Sequence, residues 1–542
     1  MRLTAATAAR EIHRLMLEAT ERYGREDFIA AAALCEQALS LSPEFPDALH
    51  LLGLCRWKSG SLLEDALRLL TRARELKPDD AQLWHNLGIV REQNGDVPGA
   101  HDAFQRAVEL NPGNAESHYN LGVTRAALRD ADGAETAYRQ TLALNNRHAG
   151  AAAGLAAISE TRNRLEEAER WLAIALREDP RDAVGNLTQA QLDLRGGRFG
   201  QAATRLEAQL EHPLSAVNRS LALGRLGMAY DRLGQAERAF NAFMQAKEVL
   251  HTLLGEAPDD NLYGLAVAAR MQRLFAVLAK DSGAPADDTT GIVPVFLVGF
   301  PRSGTTLLDQ ILASHPRIVV LEEQETLRDV LNDHAISDSR LTEFAHCDDG
   351  VLQKYRDCYW TRVSGCMPER PRDQLFIDKL PLNTLQLPLI HRLFPSARII
   401  FAVRDPRDVV LSCFMQSFEP NAAMRHFFTL QSTVRYYTAV MEVGRQALSV
   451  FPGCMHRLRY EDLVEDTAAE AGRLLAFLGV EWEPAVLEFH KTAQQRRINT
   501  PSYHQVTQPI YKSARQRWRN YASHLQPVLP QLQAFVDYFG YS

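Results

Sequence analysis

The feature that most constrains this chain is a spacing. Pro78 and Pro112 lie 34 residues apart, and Pro180 lies 68 beyond Pro112, with Asn146 at the midpoint. Pro43 precedes Pro78 by 35, one residue out of step. Gly88 and Gly122, each after a leucine, keep the same step, with Ala156 and Ala190 in phase. Ala100, Phe104 and Ala107 recur as Ala134, Tyr138 and Thr141, then as Ala168, Leu172 and Ala175. Such a period marks one helical unit copied along the chain. Small residues at Gly88 and Ala100 let two antiparallel helices approach closely. Trp84, Leu87 and Phe104 fill the space between them, and proline stops the second helix and opens the next turn. The array is expected to begin with a lone second helix at Ala31, Cys35 and Ala38. Five pairs should follow, the last near Gly227, Tyr230, Ala239 and Ala246, after a longer step around His212 and Pro213.

A 34-residue helix–turn–helix with this pattern of LG, A, F, A and P resembles the tetratricopeptide repeat, over roughly residues 20–250. Stacked pairs of this kind make a superhelix with a concave face. That face is expected to take a protein or peptide partner, or else to serve assembly with its neighbour. Residues 262–280 still read as helix. The run DSGAPADDTTG, residues 281–291, has no apolar period and reads as a linker. The expected domains are therefore a helical array over 1–280, a linker over 281–291 and a second domain over 292–542. Removal of 1–280 is expected to leave the second domain able to bind its ligand.

The second half alternates short β-branched runs with helical stretches and predicts an α/β domain with a parallel sheet. Five apolar runs, 293–298, 317–321, 375–377, 398–403 and 456–458, read as buried parallel strands. Each is followed by polar residues: GFPRSGTT, then Glu322-Glu323, Asp378-Lys379, Arg404-Asp405 and Tyr460-Glu461-Asp462. Ligands of open α/β sheets sit beyond the carboxyl ends of the strands, so these residues can converge on one pocket. The strongest element is GFPRSGTT, residues 299–306, between a strand and a helix. Gly304 permits a tight turn, successive N–H groups form an anion nest, and the helix start adds positive potential. Arg302, Ser303, Thr305 and Thr306 add donors, so the loop should hold a phosphate. Its spacing is that of the GxxxxGK[ST] loop of nucleotide triphosphatases, but Thr305 stands where that loop has lysine. A smaller anion at the 5′ end of a nucleotide fits better. Arg404 ends a strand and Ser412 lies eight residues on, inside the next helix. Such a guanidinium and hydroxyl can share a second phosphate, or the arginine can serve a structural pair with a neighbouring aspartate.

PRSGTT followed by Arg-x7-Ser resembles the sulfotransferases that use 3′-phosphoadenosine 5′-phosphosulfate, over roughly residues 292–520. The stretch PRSGTTLLDQILASHPRIVVLEEQE resembles the protein-tyrosine sulfotransferases most. Its pairing with tetratricopeptide repeats resembles bacterial sulfotransferases of unassigned substrate. The resemblance implies a P-loop-like sulfotransferase fold and 3′-phosphoadenosine 5′-phosphosulfate as co-substrate. It implies that Pro301, Arg302, Ser303, Gly304, Thr305 and Thr306 hold the 5′-phosphosulfate, and that Arg404 and Ser412 hold the 3′-phosphate. Glu323 matches the family's catalytic base, and Lys379 the lysine facing the leaving phosphate. Tyr460 matches a tyrosine near the adenine. Ser502 and Arg517 match a serine near the sulfonate and a basic residue near the 3′-phosphate, with arginine here in place of the family's lysine.

The chemistry agrees with these residue types. In-line displacement at sulfur needs a base on the acceptor hydroxyl and cations where the bridging oxygen gains charge. Glu323 can supply the first, Arg302 and Lys379 the second, and no metal is expected. Glu322 should point away from Glu323 if strand alternation persists. His315 is expected to end a helix, and Trp482, Trp518 and Tyr521 to be core. The competing readings are a P-loop kinase or nucleotidase and a repeat scaffold with a silent sulfotransferase-like domain. The acceptor is a hydroxyl compound: a peptide tyrosine, a carbohydrate or a small molecule.

Composition closes off other classes. Among 542 residues, 46% are apolar and 23% charged, as in globular protein. The net charge of −7 gives no global attraction to nucleic acid or anionic lipid. No run of eighteen apolar residues predicts a membrane span. Seven cysteines, an odd number with no CxxC, argue against a disulfide framework and a zinc site. With an N-terminus lacking the apolar core of a signal peptide, a cytoplasmic location is expected.

Overall fold

Gly88 sits against the Phe104 ring so closely that a Cβ there would lie 2.7 Å from it, and 34 residues on Gly122 meets Tyr138 at 2.6 Å. These contacts set the spacing of the helices in the first half. In the computed structural model, which describes residues 5–60, 63–258, 262–278, 293–335, 337–368, 374–419, 421–491 and 515–541, the first half is a tetratricopeptide-type array. Its hairpins are Ala5–Gly24 with Phe28–Leu41, Pro46–Lys58 with Leu63–Leu76, Ala81–Gln93 with Val97–Leu110, Ala115–Ala127 with Ala131–Leu144, Ala149–Thr161 with Leu165–Glu178, and Ala183–Arg195 with Phe199–Leu210. The array thus opens with a complete pair and not a lone helix. Ala19 of the first helix is fully buried in one apolar cluster with Ala31 and Cys35 of the second. Charged residues interleaved along Ala5–Gly24 hide its apolar stripe from a search by period. Six pairs, not five, follow the first among the described residues. The prolines act through their carbonyls: Pro78 accepts from Trp84 Nε1 at 2.7 Å and Pro180 from Asn186 Nδ2 at 2.9 Å, with His118 Nε2 3.0 Å from the Pro112 oxygen.

The chain divides into two compact units, Met1–Gln209 and Leu210–Ser542. The change of composition lies later, at 281–291, a stretch outside the described residues. The last repeat hairpin, α1 (Ala216–Arg232) and α2 (Ala236–Leu254), belongs to the second unit, as does α3 (Leu265–Leu278). It uses the same device, Gly227 against Phe243 at 2.7 Å. Yet its outer side is committed to the α/β residues. Phe240 stacks on His524 with ring centroids 4.0 Å apart, and buried Lys247 donates to the Gln416 carbonyl at 2.7 Å. Burial pushes the Lys247 ammonium down to about 8. The longer step around His212 and Pro213 breaks the 34-residue pattern just before this hairpin, yet its small-against-large contact still reads as part of the array.

The α/β part holds five strands, β1 (Val295–Gly299), β2 (Ile318–Glu322), β3 (Leu375–Lys379), β4 (Arg398–Val403) and β5 (Met455–Arg459), in the order β2-β3-β1-β4-β5. All pairs are parallel, consistent with the sulfotransferase fold. On one face Val295, Leu297, Val320, Ile377, Ile400 and Leu458 pack with Leu308, Ile311 and Leu312 of α4 (Thr305–Ala313). The other face carries Phe296, Phe376 and Phe401, which meet Tyr359, Trp360 and Gly444. The register brings Glu322 opposite Lys379, Leu297 opposite Lys379, and Val403 opposite Arg459. The carboxyl ends of β2, β3, β1 and β4 therefore lie side by side, where the sequence places its polar residues. No described helix is long and apolar enough to cross a membrane.

Candidate functional site

The loop after β1 is built by two left-handed backbone positions. Arg302 has φ 71° and Gly304 φ 95°, and Ser303 N–H closes the turn onto the Phe300 carbonyl at 3.0 Å. Left-handed φ at an arginine is unusual and turns successive N–H groups to one side, the arrangement of an anion nest. Gly304 then begins α4 with no side-chain cap, so the first N–H groups of the helix face the same hollow. Ser303, Thr305 and Thr306 are buried at its lining. The Ser303 Oγ, buried, has no hydrogen-bond partner among the described residues. A Cβ on Gly304 would stand 2.7 Å from the Tyr460 ring, so Tyr460 closes one wall of the cradle and only glycine fits. Pro301 lies buried in the turn, its carbonyl accepting from Cys413 Sγ at 3.2 Å.

The second arrangement follows β4. Helix α5 (Pro406–Met415) carries Ser412, whose Oγ accepts from Arg302 Nε at 3.1 Å. Arg404 donates to the Arg302 carbonyl at 3.3 Å, and its guanidinium stands 4.8 Å from the centre of the Tyr460 ring. Arg302, Arg404, Ser412 and Tyr460, 158 residues apart at the extremes, form one cluster. The alternative of a structural pair is also present, since Arg404 Nη2 lies 3.9 Å from Asp408 Oδ2. Asp408 accepts backbone N–H bonds from Gln516 and Trp518, both at 2.8 Å. Burial raises the Asp408 carboxyl to about 6, against the pull of Arg404 and those two donors. Arg517 lies between the two pinned residues but gives its side chain to Asp231 of α1, Nη2 to Oδ2 at 2.7 Å and Nε to Oδ1 at 3.2 Å. Ser502 lies outside the described residues.

The third arrangement joins β2 and β3. Lys379 is fully buried, with Nζ 2.8 Å from Glu323 Oε1, 3.5 Å from Glu322 Oε1 and 3.8 Å from Asp309 Oδ2. Burial lowers the ammonium pKa, but Glu323, Asp309 and Glu322 together raise it further, so it stays charged. Both glutamates reach the same lysine, contrary to the expectation that Glu322 points away. Strand β2 ends at Glu322, and Glu323 takes a left-handed φ of 50° while its N–H bonds the Lys379 carbonyl at 2.7 Å. That turn ends the alternation on which the expectation rested. Asp309 was missed. Its signal was a carboxylate inside the apolar run TTLLDQILA, four residues into α4. Asp378, expected among the polar strand ends that converge on the pocket, points instead to the other face of β3. It accepts from Thr326 Oγ1 at 2.6 Å and Tyr359 OH at 3.1 Å, and burial pushes it up to about 7.

His315 is a structural residue. Its Nε2 lies 3.0 Å from the Glu481 carbonyl and its Nδ1 accepts from Arg317 N–H at 3.1 Å. Tyr521 is buried as expected, Trp518 is half-buried beneath Arg407 at 4.2 Å, and Trp482 is 45% exposed and not core. All seven cysteines are unpaired. No group of three or more His, Cys, Asp or Glu among the described residues is arranged to hold a metal ion.

A loop shaped for an anion, a second basic cluster one hydrogen bond away and a buried lysine–carboxylate group at adjoining strand ends define the site. Residues 294–484 match the model of the Sulfotransferase family. That span holds all five strands and every site residue named above except Ser502, Arg517 and Asp231. Residues 23–88 match the tetratricopeptide repeat, and 87–250 the middle TPR-like domain of cilia and flagella-associated protein 70. An uncharacterized protein of Aquifex aeolicus is 34% identical over 256 residues, 44% of this chain and 32% of that one. A putative protein-tyrosine sulfotransferase of Caenorhabditis briggsae is 28% identical over 204 residues, 36% of this chain and 69% of that one. Nodulation protein NoeE of Sinorhizobium fredii is 28% identical over 235 residues, 38% of this chain and 54% of that one. The chain thus spans about a third of the first of these relatives and about half of the third.

Proposed function

We propose that the second unit transfers a sulfuryl group from 3′-phosphoadenosine 5′-phosphosulfate to a hydroxyl acceptor. The observation that carries this reading is the hydrogen bond of 3.1 Å between Arg302 and Ser412, which joins the nest after β1 to the Arg404 cluster after β4. Two anion sites so linked suit the two phosphate ends of one nucleoside bisphosphate. The residues fit that group on two counts. Ser303 Oγ is a buried donor lacking a described partner, and the hollow over Gly304 is walled by an aromatic ring suited to a base. Ser303, Thr305, Thr306 and the N–H groups of 302–306 would hold the 5′-phosphosulfate, and Arg404 with Ser412 the 3′-phosphate. Tyr460 would lie beside the adenine, with Ser502 and Arg517 completing the site.

Glu323 would take the proton of the acceptor hydroxyl as its oxygen bonds to sulfur. The bond from sulfur to the bridging phosphate oxygen breaks, and that oxygen keeps the electron pair. Arg302 and Lys379 would stabilise the developing charge, Lys379 from a fully buried position where an ammonium acts with little solvent screening. Glu323, with 37% of its side chain exposed, reaches the mouth of the site while its lysine does not. The array would recruit the acceptor or a protein partner.

Titration calorimetry tests the reading. Adenosine 3′,5′-bisphosphate should bind in EDTA, whereas a kinase or nucleotidase would bind ATP only with magnesium. Labelled sulfonate should then pass from the donor into an acceptor from a cell extract. Donor binding without any transfer would support the silent scaffold instead.

A further inference from the structure

The last repeat hairpin contributes a carboxylate that holds Arg517. Asp231, near the end of α1, has a side chain only 12% exposed. Its Oδ1 accepts from Tyr521 OH at 2.6 Å and from Arg517 Nε at 3.2 Å, and its Oδ2 lies 2.7 Å from Arg517 Nη2. The guanidinium is planar, so engagement of its Nε/Nη2 edge aims Nη1 away from Asp231. The backbone on either side of Arg517 is fixed independently by Asp408, which also stands 3.9 Å from Arg404. Main chain and side chain of Arg517 are thus held by two carboxylates from different elements, one of them beside the Arg404 cluster. Held this way, the arginine loses little further freedom on taking an anion through Nη1.

We propose that Asp231 is a positioning residue for donor binding, orienting Arg517 toward the 3′-phosphate and making the last repeat hairpin part of the nucleotide site. This rests on the reading of Arg517 as a phosphate ligand. Helices α1 and α2 then differ in task from the repeats before them. They are not a surface for a partner but a wall that fixes one end of the donor.

The test is a double-mutant cycle in the full-length protein, with Asp231→Asn, Arg517→Ala and both together. Affinities for adenosine 3′,5′-bisphosphate and adenosine 5′-monophosphate are measured by calorimetry. Asparagine keeps an acceptor for Tyr521 but sets an amide N–H against Nη2, so the guanidinium should swing off its aim while the fold survives. Arg517→Ala should weaken the bisphosphate by about tenfold or more, the worth of a charge-assisted bond. Asp231→Asn alone should weaken it about three- to tenfold on the same basis, with the monophosphate unchanged. In the Arg517→Ala background Asp231→Asn should change nothing, because its effect passes through that arginine. If Arg517→Ala leaves the bisphosphate unaffected, Arg517 is not a phosphate ligand and the underlying reading fails. If Arg517→Ala weakens binding but Asp231→Asn is silent, tightens binding, weakens both nucleotides alike or adds its full cost in the double variant, the positioning role is overturned.

Discussion

Replacing Glu323 by glutamine isolates one proton. The carboxylate sits 2.8 Å from a fully buried ammonium, and glutamine keeps the side chain's length and one oxygen to accept from Lys379. Packing and donor affinity should survive, with Kd changed less than about twofold, since the substituted group lies after β2 and not in the nest. What is lost is the capacity to take the acceptor proton. A positioned general base is worth about 10²–10⁴ in rate, or about 3–5 kcal/mol of barrier. Glu322 supplies the control. Its Oε1 lies 3.5 Å from the same ammonium with 21% of the side chain exposed, so it shares the charge field. A partly solvated pair at that separation is worth about 1 kcal/mol at most, which limits Glu322→Gln to about fivefold. The assay is single-turnover transfer of labelled sulfonate, with donor Kd measured in parallel. A dead Glu322→Gln beside an active Glu323→Gln would make Glu322 the base. Full activity in both would remove the base from this strand end altogether.

Three further outcomes follow from the geometry. Arg404→Ala and Ser412→Ala should each weaken adenosine 3′,5′-bisphosphate by about tenfold while barely touching adenosine 5′-monophosphate, because a charge-assisted bond costs about 1.5–3 kcal/mol to lose; equal loss for both nucleotides in calorimetry would refute the assignment. Asp378 titrates near 7 in the fold against an ordinary 3.8, so between those values the folded state holds a proton that the unfolded state has released. Its contribution to stability therefore falls as pH rises from about 4 to 7, by on the order of 4 kcal/mol, and is flat above. The Tm of Asp378→Asn should gain on wild type over that window, and a parallel pair of Tm curves would contradict it. Deletion of 1–209 should leave donor affinity within about twofold, whereas deletion of 1–280 removes Asp231 and Lys247 and should expose an apolar face and lower Tm by several degrees at least; equal Tm for the two truncations, measured by calorimetry, would favour the boundary that composition suggests.

What the sequence determined by itself is whatever is encoded locally. The 34-residue step shows because each hairpin repeats the same small-against-large contact, Gly88 with Phe104 and then Gly122 with Tyr138. The five strands and their polar ends show because buried parallel strands are short apolar runs and their ligands sit at one end. Arg302, Glu323, Lys379, Arg404 and Ser412 could all be named from those ends. Tertiary structure decided which groups face one another. Glu322 stands opposite Lys379 in the register of β2 and β3, and Glu323 joins it there because Glu323 itself adopts a left-handed φ, a backbone choice that no alternation pattern carries. Asp309 joined them because α4 lays its inner face along the sheet, and Trp482 stayed exposed although its type suggested core. The commitment of the last hairpin to the second unit rests on contacts such as Asp231 with Arg517, 286 residues apart. Repeat periodicity records how a hairpin closes on itself, and the outer side that meets a different neighbour is free of that constraint. Only the folded chain brings that neighbour near.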